Sequence, residues 1–185
     1  MNRPAVEVVA VITTFNPELN RFKMVLDSIA NQCFKIIVVD NHSSNLEKIL
    51  KISKLYYNIE IIRNDKNYGL GKALNEGIYL FKNSPEYFDY VLTLDQDSIV
   101  CCSIKEVIDK SHSFHKNTNV GIININTNST KYKEYFIENK YPIISGSLVN
   151  SIVFKNGLKY REEFFMDQIE IAWNSKQGDG KNEIH

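Results

Sequence analysis

Short apolar runs alternate with amphipathic stretches from residue 6 to residue 125. Residues 6–13 form a run rich in Val and Ile, which is typical of a buried strand. Apolar residues at helical spacing follow at Leu19, Phe22, Leu26 and Ile29. Asn16 is predicted to cap this helix, with Pro17 at its first position. The first segment of the chain therefore predicts a strand followed by a helix.

The same alternation recurs along the chain. Further strands are predicted at residues 36–40, 59–62, 90–94 and 120–125. Helical patterns lie between them, including one that carries Leu70, Ala73, Leu74, Ile78 and Phe81. Strands alternating with helices of this length predict an α/β fold with a mostly parallel central sheet covered by helices on both faces.

The alternation weakens beyond residue 126. Residues 141–154 favour extended structure interrupted by Gly146, and residues 162–173 favour a last helix. Residues 174–185 are polar and show no periodicity, so we expect a disordered tail there. The pattern predicts one domain over residues 1–173.

Composition narrows the class of protein. The 185 residues are 43% hydrophobic, which is typical of a globular domain, and 22 basic residues balance 22 acidic ones. A zero net charge argues against a nucleic-acid partner. Three cysteines without a Cys-x-x-Cys spacing favour a reducing compartment. Without a secretory signal pattern or a long apolar span, a cytoplasmic protein is expected, and peripheral membrane contact stays open.

Polar side chains gather where the predicted strands end. They are Thr13, Thr14, Asn16, Asp40, Asn41, Ser43, Asn64, Asp65, Asn67, Asp95 and Asp97. Ligands of open parallel sheets bind beyond this edge. Asp95 and Asp97 leave their strand on the same side, where two carboxylates can share a hard divalent cation. An isolated Asp-x-Asp is, however, more often a polar turn.

A glycine-containing turn opens the helix after the third strand. In residues 67–77, Gly69 and Gly71 permit close approach of a ligand to the backbone, and the helix amides suit phosphate. The segment is not a dinucleotide fingerprint, because Leu74 stands where a third glycine is needed. It also lacks the Gly-Lys-Ser/Thr ending of a phosphate-binding loop. A softened turn into a helix is an equally good interpretation.

Six segments in order resemble the family 2 glycosyltransferases, in particular the rhamnosyltransferase-like branch. The segments are residues 11–17, 38–43, 67–75, 94–98, 144–148 and 164–170. The resemblance implies a GT-A fold that binds a nucleotide sugar and transfers the sugar. Related domains usually continue well past residue 173, so the C-terminal part is expected to be truncated, with the donor half complete and the acceptor half incomplete.

The resemblance also implies roles for individual residues. The nucleotide and donor sugar are assigned to Thr13, Asn16, Asp40, Asn67, Gly69, Lys72 and Asp95. Asp97 is expected to bind Mg²⁺ or Mn²⁺ on the diphosphate, and Gly146 and Ser147 are expected on the acceptor side. Glu170 stands where the family places its general base, which is usually an Asp. Asp167 is the alternative candidate for the same role.

The implied reaction is metal-dependent and inverts the anomeric centre. The donor would be a nucleoside-diphosphate sugar such as dTDP-rhamnose, and the acceptor a cell-surface polysaccharide or its lipid-linked precursor at the inner face of the membrane. The alternative is a truncated protein that binds the nucleotide sugar without transferring it. An NAD-dependent oxidoreductase is disfavoured by the failed glycine fingerprint, and a nucleotidylyltransferase by the lack of a glycine- and arginine-rich loop after the first strand.

Overall fold

The computed structural model describes residues 6–82, 88–114, 121–125, 127, 143–157, 159–162 and 171–172. Its strands are β1 (Val8–Thr14), β2 (Lys35–Asp40), β3 (Ile59–Arg63), β4 (Tyr90–Asp95), β5 (Ile122–Asn124), β6 (Ser147–Asn150), β7 (Lys159–Tyr160) and β8 (Ile171–Ala172). Its helices are α1 (Leu19–Ile29), α2 (Leu46–Ser53), α3 (Leu70–Lys82), α4 (Ile104–Phe114) and α5 (Ser151–Lys155). Strands and helices thus alternate from β1 to β5, as the apolar pattern predicts.

Six strands form one sheet in the order β3-β2-β1-β4-β6-β5. The strands from β3 to β4 are parallel, and β6 runs antiparallel to both of its neighbours. The chain moves outward from β1 to β3 and then crosses back to β4, which makes the β1–β4 edge the switch point of the sheet. The predicted fold class, α/β with a mostly parallel sheet, is confirmed.

The two faces of the sheet carry different helices. Alternate residues of β1, such as Val9 and Val11, pack in a core with Ala73 and Leu74 of α3. The residues between them pack in a second core with α1, α2 and α4. Because side chains of a strand alternate between faces, Thr13 continues the face under α3 and Thr14 continues the opposite face. This alternation decides how the polar residues at the carboxyl edge are grouped.

The start of α1 differs from the prediction. Glu18, and not Asn16, is the N-cap residue, and its carboxylate accepts hydrogen bonds from the amides of Asn20 and Arg21 at 3.0 and 2.7 Å. Asn16 has a left-handed backbone (φ 50°), and its side-chain oxygen accepts from the amide and hydroxyl of Ser44. Asn16 therefore joins the loops after β1 and β2 and cannot cap the helix.

Two predictions in the second half of the chain are also wrong. Residues 151–154 are helical and not extended, because the Asn150 side chain accepts from the Ile152 amide and caps α5. Residues 171–172 form β8 and not the end of a helix, since they pair with β7. Residues 163–170 of the predicted helix, and the predicted tail, lie outside the described residues.

The described part of the chain contains no helix that is long and apolar enough to cross a membrane.

Reactivity of the cysteines is expected to differ sharply. Burial raises the pKa of the Cys33 thiol to about 12, whereas Cys101 and Cys102 are partly exposed. Because the thiolate is the reactive form, an aromatic disulfide reagent should modify two thiols in the native protein and all three in urea. Rapid modification of Cys33 in the native state would contradict its burial against β2.

Candidate functional site

Two carboxylates lie at the carboxyl edge of β4. Asp95 ends the strand and is half-buried, and Asp97 is exposed in the turn that follows. The Asp95 amide donates to the Ser145 hydroxyl at 3.0 Å. Burial, and next the negative charge of Asp97, raise the pKa of the Asp95 carboxyl above its usual value, and the Ser145 hydroxyl partly opposes this. The pair is therefore a concentrated negative charge that a cation would stabilise.

Gln96 ties this turn to the loop after β1. Its side-chain oxygen accepts from the Phe15 amide at 2.8 Å, and its side-chain nitrogen donates to the Phe15 carbonyl at 3.4 Å. The Arg21 Nε also donates to the backbone carbonyl of Asp97 at 2.7 Å. These contacts bridge the switch point of the sheet, so the position of the Asp95–Asp97 turn depends on the loop after β1.

An open cleft of about 440 Å³ lies on the other side of Phe15. Its walls come from the loops after β1 and β2, the first turn of α2 and the end of β3, and it is lined by Phe15, Asn16, His42, Ser43, Ser44, Leu46, Glu47 and Arg63. An exposed aromatic ring, hydroxyls and the Arg63 guanidinium are suited to a ring-shaped polar ligand that carries phosphate, and Glu47 adds one carboxylate to the lining. Through Phe15 the cleft is connected to the carboxylates of β4.

Asp40 lies beneath the cleft rather than in it. Its side chain is completely buried, and its two oxygens accept from the Thr14 hydroxyl at 3.0 Å and from the Ser43 amide at 2.9 Å. In strand register Thr14 is its neighbour, so both residues belong to the α1 face of the sheet. A direct contact of the Asp40 carboxylate with a nucleotide stays a prediction, and the visible contacts fix the Ser43 loop that lines the cleft.

We expect Asp40→Ala to lower the free energy of unfolding by about 3 kcal/mol, because two charge-assisted hydrogen bonds are lost in the interior. Urea unfolding measures this. Thr14→Val, which removes one of the two bonds, should cost about half as much. A stability loss below about 1 kcal/mol for Asp40→Ala would show that these bonds contribute little.

Thr13 and Asp95 lie side by side on the α3 face. They are partners in the register of β1 and β4, and Thr13 is nearly buried. The donor-site residues that the resemblance implies are thus divided by the sheet: Thr13 and Asp95 lie on one face and Asp40 on the other. The structure confirms that all three residues lie at the carboxyl edge of the sheet. Their contact with a nucleotide stays a prediction.

The turn before α3 is held by its own polar groups. The Asn67 side-chain oxygen accepts from the Gly69 amide at 2.9 Å, and Gly69 has a positive φ of 87°, which favours glycine. The Gly69 carbonyl accepts from the Asn41 side chain at 3.2 Å. Lys72 lies 4.1 Å above the Tyr68 ring and 4.0 Å from a Glu76 carboxylate oxygen. Lys72 is therefore engaged locally on the first turn of the helix.

The expected open space at Gly71 is not there. A Cβ on Gly71 would lie 2.2 Å from the Arg161 carbonyl oxygen. The missing side chain therefore makes room for the protein's own backbone at Arg161, just after β7, and the interpretation of Gly71 as a point of ligand approach is wrong.

Gly146 and Ser147 lie beside β4. Gly146 has a φ of 86°, and a Cβ there would be 2.6 Å from the Ile125 carbonyl oxygen. The buried Ser147 hydroxyl accepts from the Asn124 side chain at 2.7 Å and donates to the Ile143 carbonyl. Both residues shape the segment that brings Ser145 to Asp95, and their contact with an acceptor stays a prediction. Glu170 and Asp167 lie outside the described residues.

A divalent cation fits the Asp95–Asp97 turn. Among the described residues, none of the ion pairs involves either carboxylate, and no cluster of three or more His, Cys, Asp or Glu side chains is present. Mg²⁺ is commonly held by one or two carboxylates together with phosphate oxygens of a substrate. Asp97 and Asp95 are therefore the described residues that could supply the protein ligands of such a site.

Sequence reasoning gave no role to several residues of this region. Among them, Phe15, Gln96, Ser145, His42 and Arg63 connect or line it. Arg63 could have been found as a cationic residue at the carboxyl end of a strand, and Gln96 from its position between two carboxylates. His42 and Ser145 lie in the segments 38–43 and 144–148 that carry the family resemblance, but only the folded loops show that they reach this edge.

Comparison with known proteins agrees with the segments that suggested a family. The sequence pattern described as glycosyl transferase family 2 matches residues 9–158, which covers β1 from its second residue, all of β2 to β6, and both the cleft and the Asp95–Asp97 turn. The chain belongs to glycosyl transferase family 2. The resemblance read from the six segments is thereby confirmed at the level of the family.

Two curated proteins are similar to this family 2 chain. The dTDP-rhamnosyl transferase RfbF of Shigella flexneri is 28% identical over an alignment of 191 residues, gaps included, that covers 90% of this chain and 61% of that protein. The uncharacterized protein MJ0544 of Methanocaldococcus jannaschii is 32% identical over 92 residues, 49% of this chain and 40% of that one. The chain therefore spans less than two thirds of the length of either relative.

Among solved structures, a 4-diphosphocytidyl-2C-methyl-D-erythritol synthase from Anaerococcus prevotii is similar with a TM-score of 0.49 and 17% identity, covering 81% of this chain and 72% of that one. A second synthase of the same description gives a TM-score of 0.47 and 11% identity, with coverage of 83% and 79%.

Proposed function

We propose that this protein is an inverting, metal-dependent glycosyltransferase that moves a sugar from a nucleoside diphosphate to a saccharide acceptor. One observation supports this most strongly: the Asp95–Asp97 carboxylate pair lies at the switch point of the sheet and is tied through Gln96 to Phe15, which lines the neighbouring cleft. A cleft for a nucleoside beside a pair of acidic groups for a diphosphate is the arrangement that such a donor needs.

The described residues divide the work of donor binding. The cleft takes the nucleoside, with Phe15 and Arg63 on its walls and Asp40 holding the Ser43 loop from below. Thr13 and Asp95 lie on the α3 side, towards the sugar. Asn67, Gly69 and Lys72 belong to the same donor set at the start of α3. Gly146 and Ser147 lie with Ser145 on the acceptor side.

Transfer requires a leaving group and a nucleophile. Mg²⁺ or Mn²⁺ at Asp97 would stabilise the negative charge that develops on the departing diphosphate. Glu170 takes the proton from the acceptor hydroxyl, which makes its oxygen nucleophilic. Direct displacement by that oxygen opposite the diphosphate inverts the anomeric centre.

The proposed donor is dTDP-rhamnose, by analogy with the relative named a dTDP-rhamnosyl transferase. The acceptor in this proposal is a cell-surface polysaccharide or its lipid-linked precursor. In this proposal the protein is cytoplasmic, and it acts at the inner face of the membrane when the acceptor is lipid-linked.

A thermal-shift panel of nucleoside diphosphates and their sugars tests the donor. Stabilisation follows the ratio of ligand concentration to Kd, so a true donor at 100 times its Kd raises the free energy of unfolding by about 2.7 kcal/mol. The shift should need Mn²⁺ and disappear with EDTA. Release of dTDP in the presence of saccharide acceptors tests transfer. Binding without release would support a nucleotide-sugar-binding protein, and no binding would contradict the proposal.

A further inference from the structure

The side chain of Asn75 on α3 makes hydrogen bonds to the hairpin of β7 and β8. The Asn75 side-chain nitrogen donates to the Tyr160 carbonyl at 2.9 Å, and the Asn75 side-chain oxygen accepts from the Tyr160 amide at 2.9 Å. The second hydrogen of the same nitrogen donates to Glu162 Oε1 at 2.9 Å. Asn75 thus makes the paired bonds that a neighbouring strand makes in an antiparallel ladder. Three of its four side-chain hydrogen-bonding directions are used here: both N–H groups and one lone pair of the oxygen.

Gly71 provides the space for this attachment. It lies one helical turn before Asn75 and therefore on the same face of α3. A Cβ at Gly71 would lie 2.2 Å from the Arg161 carbonyl oxygen and 3.1 Å from its carbon. These are backbone atoms, so an added methyl group can be accommodated only if β7 moves away from the helix.

The attachment places the hairpin on the face of the sheet that carries Asp95. Tyr160 is buried in the core that α3 shares with Val9, Val11 and Val91. Asp95 stands on the face of β4 that Val91 belongs to, because residues two apart in a strand share a face. Asn75 and Gly71 therefore fix β7, and through its pairing also β8, on the side of the sheet where the donor sugar is proposed to lie.

We propose that Asn75 and Gly71 are positioning residues for sugar transfer. They set the place of strand β8, whose first residue, Ile171, follows Glu170 directly in the sequence. This inference rests on the proposed function. It predicts that loosening the hairpin impairs the transfer step, while the cleft and the Asp95–Asp97 turn, which Asn75 does not contact, still bind the nucleoside diphosphate.

The test compares Asn75→Ala with Asn58→Ala. Asn58 is a matched control: it is buried, and its side chain likewise donates to two backbone carbonyls, those of Ala30 and Cys33, but at the opposite edge of the sheet. Asn75→Ala should lower kcat on the order of 100-fold, as a displacement of about 1 Å at a reacting group does. Its Kd for dTDP in Mn²⁺, by calorimetry, should stay within about twofold of the wild-type value. Asn58→Ala should lower stability without changing kcat of the folded protein.

Two further measurements complete the test: hydrogen exchange of the Tyr160 amide, and a comparison of Gly71→Ala with Gly121→Ala. The Tyr160 amide should exchange faster in Asn75→Ala than in the wild type, since its acceptor is gone. Gly71→Ala should reproduce the loss in kcat, whereas Gly121→Ala should be neutral, since among the described residues its Cβ would meet Val153 alone, at 3.8 Å. Gly71→Ala also keeps the inference testable if Asn75→Ala fails to fold.

Each failure has a different signature. Unchanged exchange at Tyr160 would overturn the attachment itself. Faster exchange with an unchanged kcat would overturn the positioning role, and a dTDP affinity that falls as far as kcat would place Asn75 in donor binding instead. A wild-type chain that binds dTDP and transfers no sugar would contradict the proposed function, and the role of Asn75 in transfer with it.

Discussion

Asp97→Ala is expected to abolish the Mn²⁺-dependent part of dTDP binding. Removal of groups that merely support a metal ligand commonly costs 10–100-fold in metal affinity, so loss of a ligand should cost at least on the order of 100-fold. Asp97 is exposed and its backbone carbonyl is already held by Arg21, so the turn should keep its shape. Titration calorimetry with dTDP, in Mn²⁺ and in EDTA, measures the effect.

Asp109→Ala is the matched control for Asp97→Ala. Asp109 is an exposed carboxylate on α4 that pairs with Lys105 four residues earlier, so its loss removes the same charge away from the site. Asp95→Ala should also weaken binding of the donor. Its effect should be separate from that of Asp97→Ala, because Asp95 is the partner of Thr13 in the strand register and lies within the sheet edge, whereas Asp97 lies in the turn. If Mn²⁺ strengthens dTDP binding equally in Asp97→Ala and the wild type, Asp97 does not hold the metal.

Much of the sheet could be predicted because its central strands are buried on both faces. A continuous run of Val and Ile, as in residues 6–13 and 36–40, needs helices on both sides, and the alternation with helices then implies parallel strands. If the strands are parallel, their carboxyl ends lie at the same edge of the sheet, so Asp40 and Asp95 are predicted to lie there together. The register confirms it, since Thr14 faces Asp40 and Thr13 faces Asp95.

The division of that edge between two faces was harder to predict. It depends on the position at which each strand ends, and a shift of one residue moves a side chain to the other face. Asp40 ends β2 on the α1 face, where Thr14 and Ser43 satisfy it. The prediction placed Asp40 and Asp95 together in the donor site at this edge, although Asp95 ends β4 on the α3 face.

Contacts between distant parts of the chain explain the remaining errors. Gly71 looked like an opening for a ligand, but the space above it is filled by Arg161, ninety positions later by the numbering. The two residues of β8 belong to the segment 162–173 whose pattern favours a helix, and only pairing with β7 makes them a strand. Asn75 was noted only as part of segment 67–75, and no pattern in the sequence links it to Tyr160.

Glu170→Gln is expected to lower turnover by 10²–10⁴-fold, which is the usual contribution of a general base. Glutamine has nearly the same size and keeps a carbonyl oxygen, but it cannot take the proton of the acceptor hydroxyl. Binding of dTDP and of Mn²⁺ should therefore remain unchanged, because the proposed function assigns both to Asp97 and the cleft. Transfer rates at saturating donor, together with calorimetry of dTDP, measure the two effects separately.

Asp167→Asn is the decisive comparison for Glu170→Gln, since Asp167 is the nearest rival carboxylate in the sequence. Both substitutions remove one negative charge and keep an amide of similar shape, so a general loss of charge would affect them equally. If Glu170 is the base, Asp167→Asn retains most of the transfer rate. If Asp167→Asn stops transfer and Glu170→Gln does not, Asp167 is the base, and the shorter aspartate side chain that is usual in related domains then serves here too, three positions earlier.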